Sequence, residues 1–447
     1  MNFQESVRYL LSLGRELAAP TQAAAAKFNL ENITMLAINL GHPEQKYPSV
    51  HIAGTNGKGS TAAFLESILR HAGYRTGLYT SPHLERINER IRVNGEEIPD
   101  QAFADVFSRI HSVIEELLAN GRLRAHPTFF ECVTAIAFVY FAQSKVQLAI
   151  FETGLGGRLD ATNILTPQVS VITRIDFDHE NFLGHSIREI ASEKAGIIKP
   201  GIPVVIAEQR DEARQVLFAK ARQLNVPAVE TDSTFAIESQ KTADGRVRAT
   251  VKETATGKRF ELAPQLAGRF QLQNALNAVA AVRLLASSGF PSSDNAIERG
   301  IATAIWPGRI EKVRSQPDTY LDGAHNPSAA RELGAFLEEN LRGRKLIIIF
   351  GALRDKAVDE IAGILFPLAS EVIFTQPNTS RSISAAQLAE IAAHHAARYK
   401  IIPDAEEALE SAIAQVAPAD VVCVTGSLYL VGELRHHWQS NVRTSAL

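Results

Sequence analysis

Hydrophobic and polar positions along this chain follow two rhythms in turn. Short runs rich in β-branched residues, at 49–54 (SVHIAG), 76–81 (TGLYTS), 147–153 (QLAIFET), 168–175 (QVSVITRI) and 203–207 (PVVIA), read as strands. Amphipathic helical stretches at 60–72, 101–118, 128–144, 186–195 and 210–223 fall between them, the pattern of a parallel sheet covered by helices. At 233–262 the rhythm changes, because FAIES and RVRATVKE alternate on either side of Ala243-Asp244-Gly245, which predicts a local antiparallel hairpin. Residues 269–303 read as helical again, until Trp306-Pro307-Gly308 breaks the pattern. A second series follows, with strands expected at 319–323, 345–351, 371–376, 399–402 and 420–426. The fold class is therefore α/β, with a domain boundary placed near 305 and units at 1–305 and 306–447.

Composition removes several classes of function. With 45% apolar and 21% charged residues in 447, the chain has material for real cores and is not a disordered one. Its 46 Lys plus Arg against 49 Asp plus Glu leave a formal charge of -3, so no nucleic-acid partner is expected. Cys132 and Cys423 each sit in an apolar stretch, which argues against a disulfide framework or a Cys-type zinc site and fits a reducing cytoplasm. The first twenty residues mix charges into a helical pattern and lack the features of a signal peptide. The longest apolar run, around 132–142, falls short of the roughly 20 residues of a membrane span. A cytoplasmic protein without a membrane partner is expected.

The sharpest local signal is His51-Ile-Ala-Gly54-Thr55-Asn56-Gly57-Lys58-Gly59-Ser60-Thr61. A strand that turns through three glycines and a lysine into a helix aims backbone N–H groups and a helix N-terminus at phosphate. Thr55, Asn56, Gly57, Lys58, Gly59 and Ser60 are thus candidates for binding a nucleoside triphosphate, with Lys58 as a point charge and Ser60 as a Mg²⁺ ligand. The spacing departs from the standard P-loop: the first glycine comes two residues too close, and Gly59 separates the lysine from the hydroxyl.

This GTNGKGS form resembles the loop of the Mur-type ATP-dependent amide ligases. Residues 79–90 (YTSPHLERINER), 152–163 (ETGLGGRLDATN), 178–184 (DHENFLG), 192–199 (SEKAGIIK) and 322–327 (DGAHNP) resemble, in order, the motifs of folylpolyglutamate synthases. The resemblance spans residues 51–356 and implies a P-loop-containing Mur-ligase-type central domain followed by a smaller Rossmann-like α/β domain.

Residue by residue, the motifs carry both a plain and a functional meaning. Glu152 ends an apolar strand, where α/β sheets present functional groups; a strand-end acid can be ordinary, and the resemblance makes it a Mg²⁺ ligand with Ser81. His179 follows a strand beside Asp176 and Asp178, and the resemblance implies that it binds a second Mg²⁺. Ser186-Ile-Arg-Glu189 reads as a capping box that starts a helix running to a stop at Gly196. Lys194 in its last turn suits the helix dipole, but the resemblance implies a lysine carbamylated by carbon dioxide and used as a metal ligand. Asn274 would be a helix cap by residue type, and lies near the adenine by resemblance. By the same resemblance Arg309 and Asp322 hold ATP from the second domain, and His325 is a catalytic candidate beside Lys58 and Lys194. The 350–356 loop is assigned to the same cleft. Thr128, Phe129, Phe130 and Glu131, with Leu159, Asp160 and Ala161, match segments that contact the pterin in family members, although two phenylalanines on an apolar helix are usually core.

The expected activity is an ADP-forming ligation of L-glutamate to a folate, and to dihydropteroate as well, through an acyl phosphate, with ATP and two Mg²⁺ bound between the domains of a monomer. Leu30 to Ile33 and the TFFE stretch favour the double activity. A peptidoglycan-type Mur ligase is the alternative enzyme; it normally carries a further N-terminal domain, and only about 48 residues precede the first strand here. A P-loop regulatory GTPase is a second alternative, against which stands the lack of an Asn-Lys-x-Asp motif.

Overall fold

The computed structural model describes residues 1–14 and 29–445, with side chains to 438; the rest of the amphipathic N-terminal pattern lies outside the described residues. Its first sheet has eight strands: β1 (Ser49–Ala53), β2 (Thr76–Tyr79), β3 (Ile91–Val93), β4 (Glu96–Glu97), β5 (Leu148–Glu152), β6 (Val169–Ile172), β7 (Val204–Ile206) and β8 (Ala228–Glu230). They run in the order β4-β3-β2-β5-β1-β6-β7-β8. All pairs are parallel except those that β3 makes with β2 and β4. β1, β2, β5 and β6 are buried along their whole length, as continuous apolar runs between two helical layers must be. Val50, Ile52, Leu148 and Ile150 face the helices Lys58–His71, Phe270–Leu285 and Asp294–Thr303, while Ala149 and Phe151 face Asp100–Ala119 and Phe129–Gln143.

The expected hairpin is present and grows into a three-stranded sheet of β9 (Phe235–Ala243), β10 (Arg246–Glu253) and β11 (Arg259–Leu262). Asp244 and Gly245 form its two-residue loop, both at positive φ (51° and 73°), the backbone that matches the twist of paired strands. The second large sheet contains β12 (Glu311–Ser315), β13 (Asp318–Leu321), β14 (Leu346–Phe350), β15 (Glu371–Phe374), β16 (Tyr399–Ile401) and β17 (Val421–Thr425), in the order β12-β13-β17-β14-β15-β16. β12 alone is antiparallel to its neighbour.

Four departures from the sequence reading have physical causes. The stretch 269–303 is two helices, Phe270–Leu285 and Asp294–Thr303, parted by Gly289 at φ 90° and re-started by the Ser293 cap. β2 stops at Tyr79, so Thr80 and Ser81 belong to a loop. The capping box of Ser186 and Glu189 is made as read, but its helix ends at Lys194 and a 3₁₀ turn, Ala195–Ile197, follows. Gly196 serves close approach rather than helix termination: a Cβ there would lie 2.4 Å from Cα of Arg158.

A similar approach fixes the helix behind the P-loop. A Cβ on Gly300 would sit 2.5 Å from Cα and 2.6 Å from N of Ile68, so the two helices cross backbone against backbone. Gly300→Ala should force them apart and destabilise the protein by about 1–3 kcal/mol. The urea midpoint reads this, with an unchanged m-value; an unmoved midpoint would refute the crossing.

Candidate active site

The P-loop leaves β1 at Ala53 and enters its helix at Lys58. Gly57 caps that helix at φ 87°, and a Cβ on it would lie 2.3 Å from Oδ1 of Asn274, so the turn must be glycine. The N–H groups of Thr55 and Asn56 donate to the carbonyl of Arg174 (2.9 and 3.2 Å), and the Thr55 hydroxyl donates to that of Asp176 (2.9 Å). Those two residues therefore shape the loop, and the amides aimed outward are those of Lys58, Gly59 and Ser60, in the helix's first turn, which no helix satisfies internally. Nζ of Lys58 folds back onto the carbonyls of Gly54 (3.1 Å) and Thr55 (3.2 Å).

Glu152 stands at the end of β5, 4% exposed, and accepts the N–H of Ser81 (3.2 Å). Burial raises its pKa, against the pull of Lys58, that N–H, Arg309 and Arg90. The Ser81 hydroxyl beside it is enclosed and finds no partner among the described residues. A buried carboxylate next to an unpartnered hydroxyl is a donor set that suits a hard cation such as Mg²⁺. The loop that carries Ser81 is wound about Glu89, whose carboxylate accepts the N–H groups of Leu84, Glu85 and Arg86 at 2.7–2.8 Å. The C-terminal helix holds this loop from outside, through Arg435, which pairs with Glu85 (2.5 Å) and Glu311 (3.1 Å).

On the other side of the P-loop, Lys194 is 3% exposed and donates to the Gly54 carbonyl (2.8 Å). Burial, then the nearby Lys58, brings its pKa down to about 7. His179, at positive φ, is likewise pushed down by burial, to about 4, so its imidazole is neutral at pH 7 and available as a ligand. Between them lies Asp178, which sequence reading passed over. Burial alone would raise its pKa, but Lys356 and His179 hold it well below the usual carboxylate range. Lys356 donates to Oδ1 (2.8 Å) and Asn326 to Oδ2 (3.2 Å), both from the second α/β unit. Asn326 and Asn56 also exchange amide contacts at 3.0 and 3.3 Å. Asp178 and Asn326 thus join the two sheets directly over the phosphate loop.

From the second unit, Asp322 accepts the N–H groups of Ile310 (2.8 Å) and Ala324 (2.9 Å), and Arg309, half-buried, lies near it and Glu152. Nδ1 of His325 donates to the Gly323 carbonyl (2.7 Å), which leaves Nε2 facing Asp178 at 3.7 Å. Asn274 is not a helix cap; it lies inside the helix Phe270–Leu285, bonded to Gln271 (3.0 Å). Gln271, Asn274 and Asn277 form a buried amide stripe at helical spacing, in which Nε2 of Gln271 and Oδ1 of Asn277 have no partner among the described residues. That spacing, three residues apart, is the signal that could have brought Gln271 and Asn277 into the site.

The expected pterin contacts fare unevenly. Thr128 and Glu131 form a reciprocal cap, and Asp160 accepts from Gly154 (2.8 Å), Leu155 (2.9 Å) and Thr162, so all three shape the backbone. Phe129 is buried under Arg90 (5.3 Å), and Ala161 is buried as well. Phe130, against Gly154, and Leu159 are only half-buried and remain open to a ligand.

These features, a P-loop closed over by a second α/β unit, define an ATP-dependent ligase of the Mur type. Residues 52–282 match the Mur ligase middle domain family and residues 308–428 the glutamate ligase domain of Mur ligases. The chain is similar to the dihydrofolate synthase/folylpolyglutamate synthase of Bacillus subtilis, at 36% identity over 92% of this chain and 94% of that one. It is also similar to the solved Mycobacterium tuberculosis folylpolyglutamate synthase complexed with ADP (TM-score 0.88, 30% identity, 98% of each chain). A third likeness is to Escherichia coli FolC in complex with DHPP and ADP (TM-score 0.84, 31% identity, 98% of each chain). The chain belongs to the folylpolyglutamate synthase/dihydrofolate synthase family of the Mur ligase superfamily. As such it is an ADP-forming ligase that joins glutamate to a folate at the expense of ATP. The peptidoglycan and regulatory-GTPase alternatives lose their support.

Proposed function

We propose that this ligase uses both dihydropteroate and reduced folates as acceptors of L-glutamate, with Mg²⁺ in the cleft between its two α/β units. The observation that carries the reading is the convergence of Glu152, the unpartnered Ser81 hydroxyl and Lys58 at the mouth of the P-loop. Mg²⁺ held by Ser60, Ser81 and Glu152 would supply charge neutralisation at the phosphates, and His179 with a carbamylated Lys194 would hold a second ion. Lys58 and the amides of Lys58, Gly59 and Ser60 meet the phosphate oxygens, while Arg309 and Asp322 hold the nucleotide from the second unit. The amide stripe of Gln271, Asn274 and Asn277 offers both donors and acceptors, as a purine edge requires.

A carboxylate is a poor acyl donor because its leaving group would be oxide. Transfer of the γ-phosphoryl group of ATP to the pterin substrate's carboxylate releases ADP and gives an acyl phosphate. The α-amine of glutamate then attacks the acyl carbon, the C–O bond to phosphate breaks, and the amine gives up a proton. His325, with Nε2 turned to the cleft, stands where that proton could be taken. Closure through Asn56 and Asn326, and through Asp178 and Lys356, excludes water from the acyl phosphate.

The change of sheet between Thr303 and Glu311 supports a division into 1–305 and 306–447. Assembly of the whole cleft within one chain supports a monomer, and two buried free thiols, Cys132 and Cys423, suit a reducing cytoplasm. Glutamate-dependent ADP release, measured with dihydropteroate and separately with tetrahydrofolate, tests the reading. Turnover is expected with both; turnover with the folate alone would refute the double activity, and none with either would refute the assignment.

A further inference from the structure

On the second α/β unit, outside the set of residues that meet over the P-loop, Asp359, His394 and His395 bring three ligand atoms within 4.8 Å of one another. Asp359 lies in the first turn of the helix Val358–Leu365, and the histidines end the 3₁₀ turn Ala393–His395, which closes the helix Ala385–Ala392. Those two helices pack through the buried residues Ile361, Ala362, Leu388, Ala389 and Ala392, so the core sets the positions of the ligands. Nε2 of His395 lies 2.9 Å and Nε2 of His394 3.4 Å from the same oxygen, Oδ1 of Asp359. The rings lie face to face, their centroids 3.9 Å apart and tilted by 40°. Gly363, one turn on from Asp359, packs beside the ring of His395, where a Cβ would lie 3.4 Å from Cε1 in ordinary contact.

We propose that Asp359, His394 and His395 form a binding site for a divalent transition-metal ion of the Zn²⁺, Co²⁺ or Ni²⁺ class. Metal–ligand bonds of about 2.0–2.1 Å at tetrahedral angles hold donor atoms roughly 3.4 Å apart, and the two histidine nitrogens lie 2.9 and 3.4 Å from the Asp359 oxygen. Two imidazoles and one carboxylate select these borderline ions over Mg²⁺, which takes oxygen donors. Three protein ligands on an exposed face leave positions for water, so the ion is exchangeable rather than structural. When bound it staples the start of the helix Val358–Leu365, three residues beyond Lys356, to the turn that precedes β16.

The test is equilibrium dialysis, against Zn²⁺ in excess Mg²⁺, of the full-length His179→Ala protein, which lacks the imidazole proposed to hold a metal in the cleft. This protein should retain an equivalent of Zn²⁺ that the His179→Ala/His395→Ala protein lacks. Asp359→Asn and His394→Ala should each weaken binding at least tenfold. Co²⁺ should show the intense visible absorption of a low-symmetry site in the first protein only. Asp359 and His394 are largely exposed, so circular dichroism should show all variants folded. His394→Ala should keep the basal Mg²⁺·ATP activity. Equal Zn²⁺ uptake with and without His395, or no uptake at all, would overturn the proposal.

Discussion

Glu152→Gln lowers kcat/KM by about 10²–10³-fold, the effect of removing a pre-placed charge from a water-excluded phosphoryl-transfer site. The carboxylate is buried at the end of β5, and burial has raised its pKa, so in the metal-free protein it is a costly anion. A group whose folded pKa is raised contributes stability below its unfolded value and loses it as the pH rises through the folded one. The metal-free protein should therefore weaken as the pH climbs above the ordinary carboxylate range, and Glu152→Gln should remove that part of the slope. Mg²⁺ with ADP should raise the melting temperature of the native protein and do much less for the variant. Ser81→Ala, which deletes the unpartnered hydroxyl and leaves the charge, should cost less, about 10-fold, with a higher Mg²⁺ requirement. If Glu152→Gln left both the Mg²⁺ dependence and the melting shift unchanged, Glu152 would not be the ligand.

The path to Glu152 shows why some of this molecule is written in local sequence and some is not. β1, β5, β14 and β17 are legible because a central parallel strand must be apolar on both faces, and each ends where glycine or a polar residue begins. β12, with the sequence EKVRS, is an edge strand with no fully buried residue, so nothing apolar marks it. The break after Leu285 is masked by alanine-rich helix on one side and amphipathic helix on the other. At the site, the P-loop, Glu152 and Lys194 follow from short motifs whose geometry is local. Asp178 does not, because its partners Asn326 and Lys356 lie 148 and 178 residues away. Only the docking of the two units brings them together, and no periodicity encodes that. Thr128, Glu131 and Asp160, named through family resemblance, also have a local structural task that the sequence did not announce: their oxygens accept backbone N–H groups nearby.

Carbamylation of Lys194, as proposed above, predicts that activity depends on carbon dioxide and on pH, both through the Lys194 amine. An ordinary lysine is almost wholly protonated at neutral pH, and an ammonium has no lone pair with which to attack CO₂. Here burial and the neighbouring Lys58 bring the pKa to about 7, so a substantial fraction of the chains carries the neutral amine near neutral pH. Attack on CO₂ would form the N–C bond, release a proton, and turn a cation that repels metal into an anion able to bind it. Bicarbonate-depleted enzyme should lose most of its activity and recover it when bicarbonate is restored. Below pH 7 the neutral fraction falls about tenfold per unit, so half-maximal recovery should need correspondingly more bicarbonate. Lys194→Ala should sit about 10²–10³-fold below the native protein, with no response to bicarbonate. Stability supplies a separate check on the same amine. Between about pH 7 and the ordinary lysine value of 10.5, the unfolded chain holds a proton that the folded chain does not. Stability of the CO₂-free protein should therefore rise with pH across that window, and Lys194→Met should flatten the rise. A native enzyme indifferent to bicarbonate would leave Lys194 as a neutral donor to the Gly54 carbonyl, and the second metal would then need another oxygen ligand.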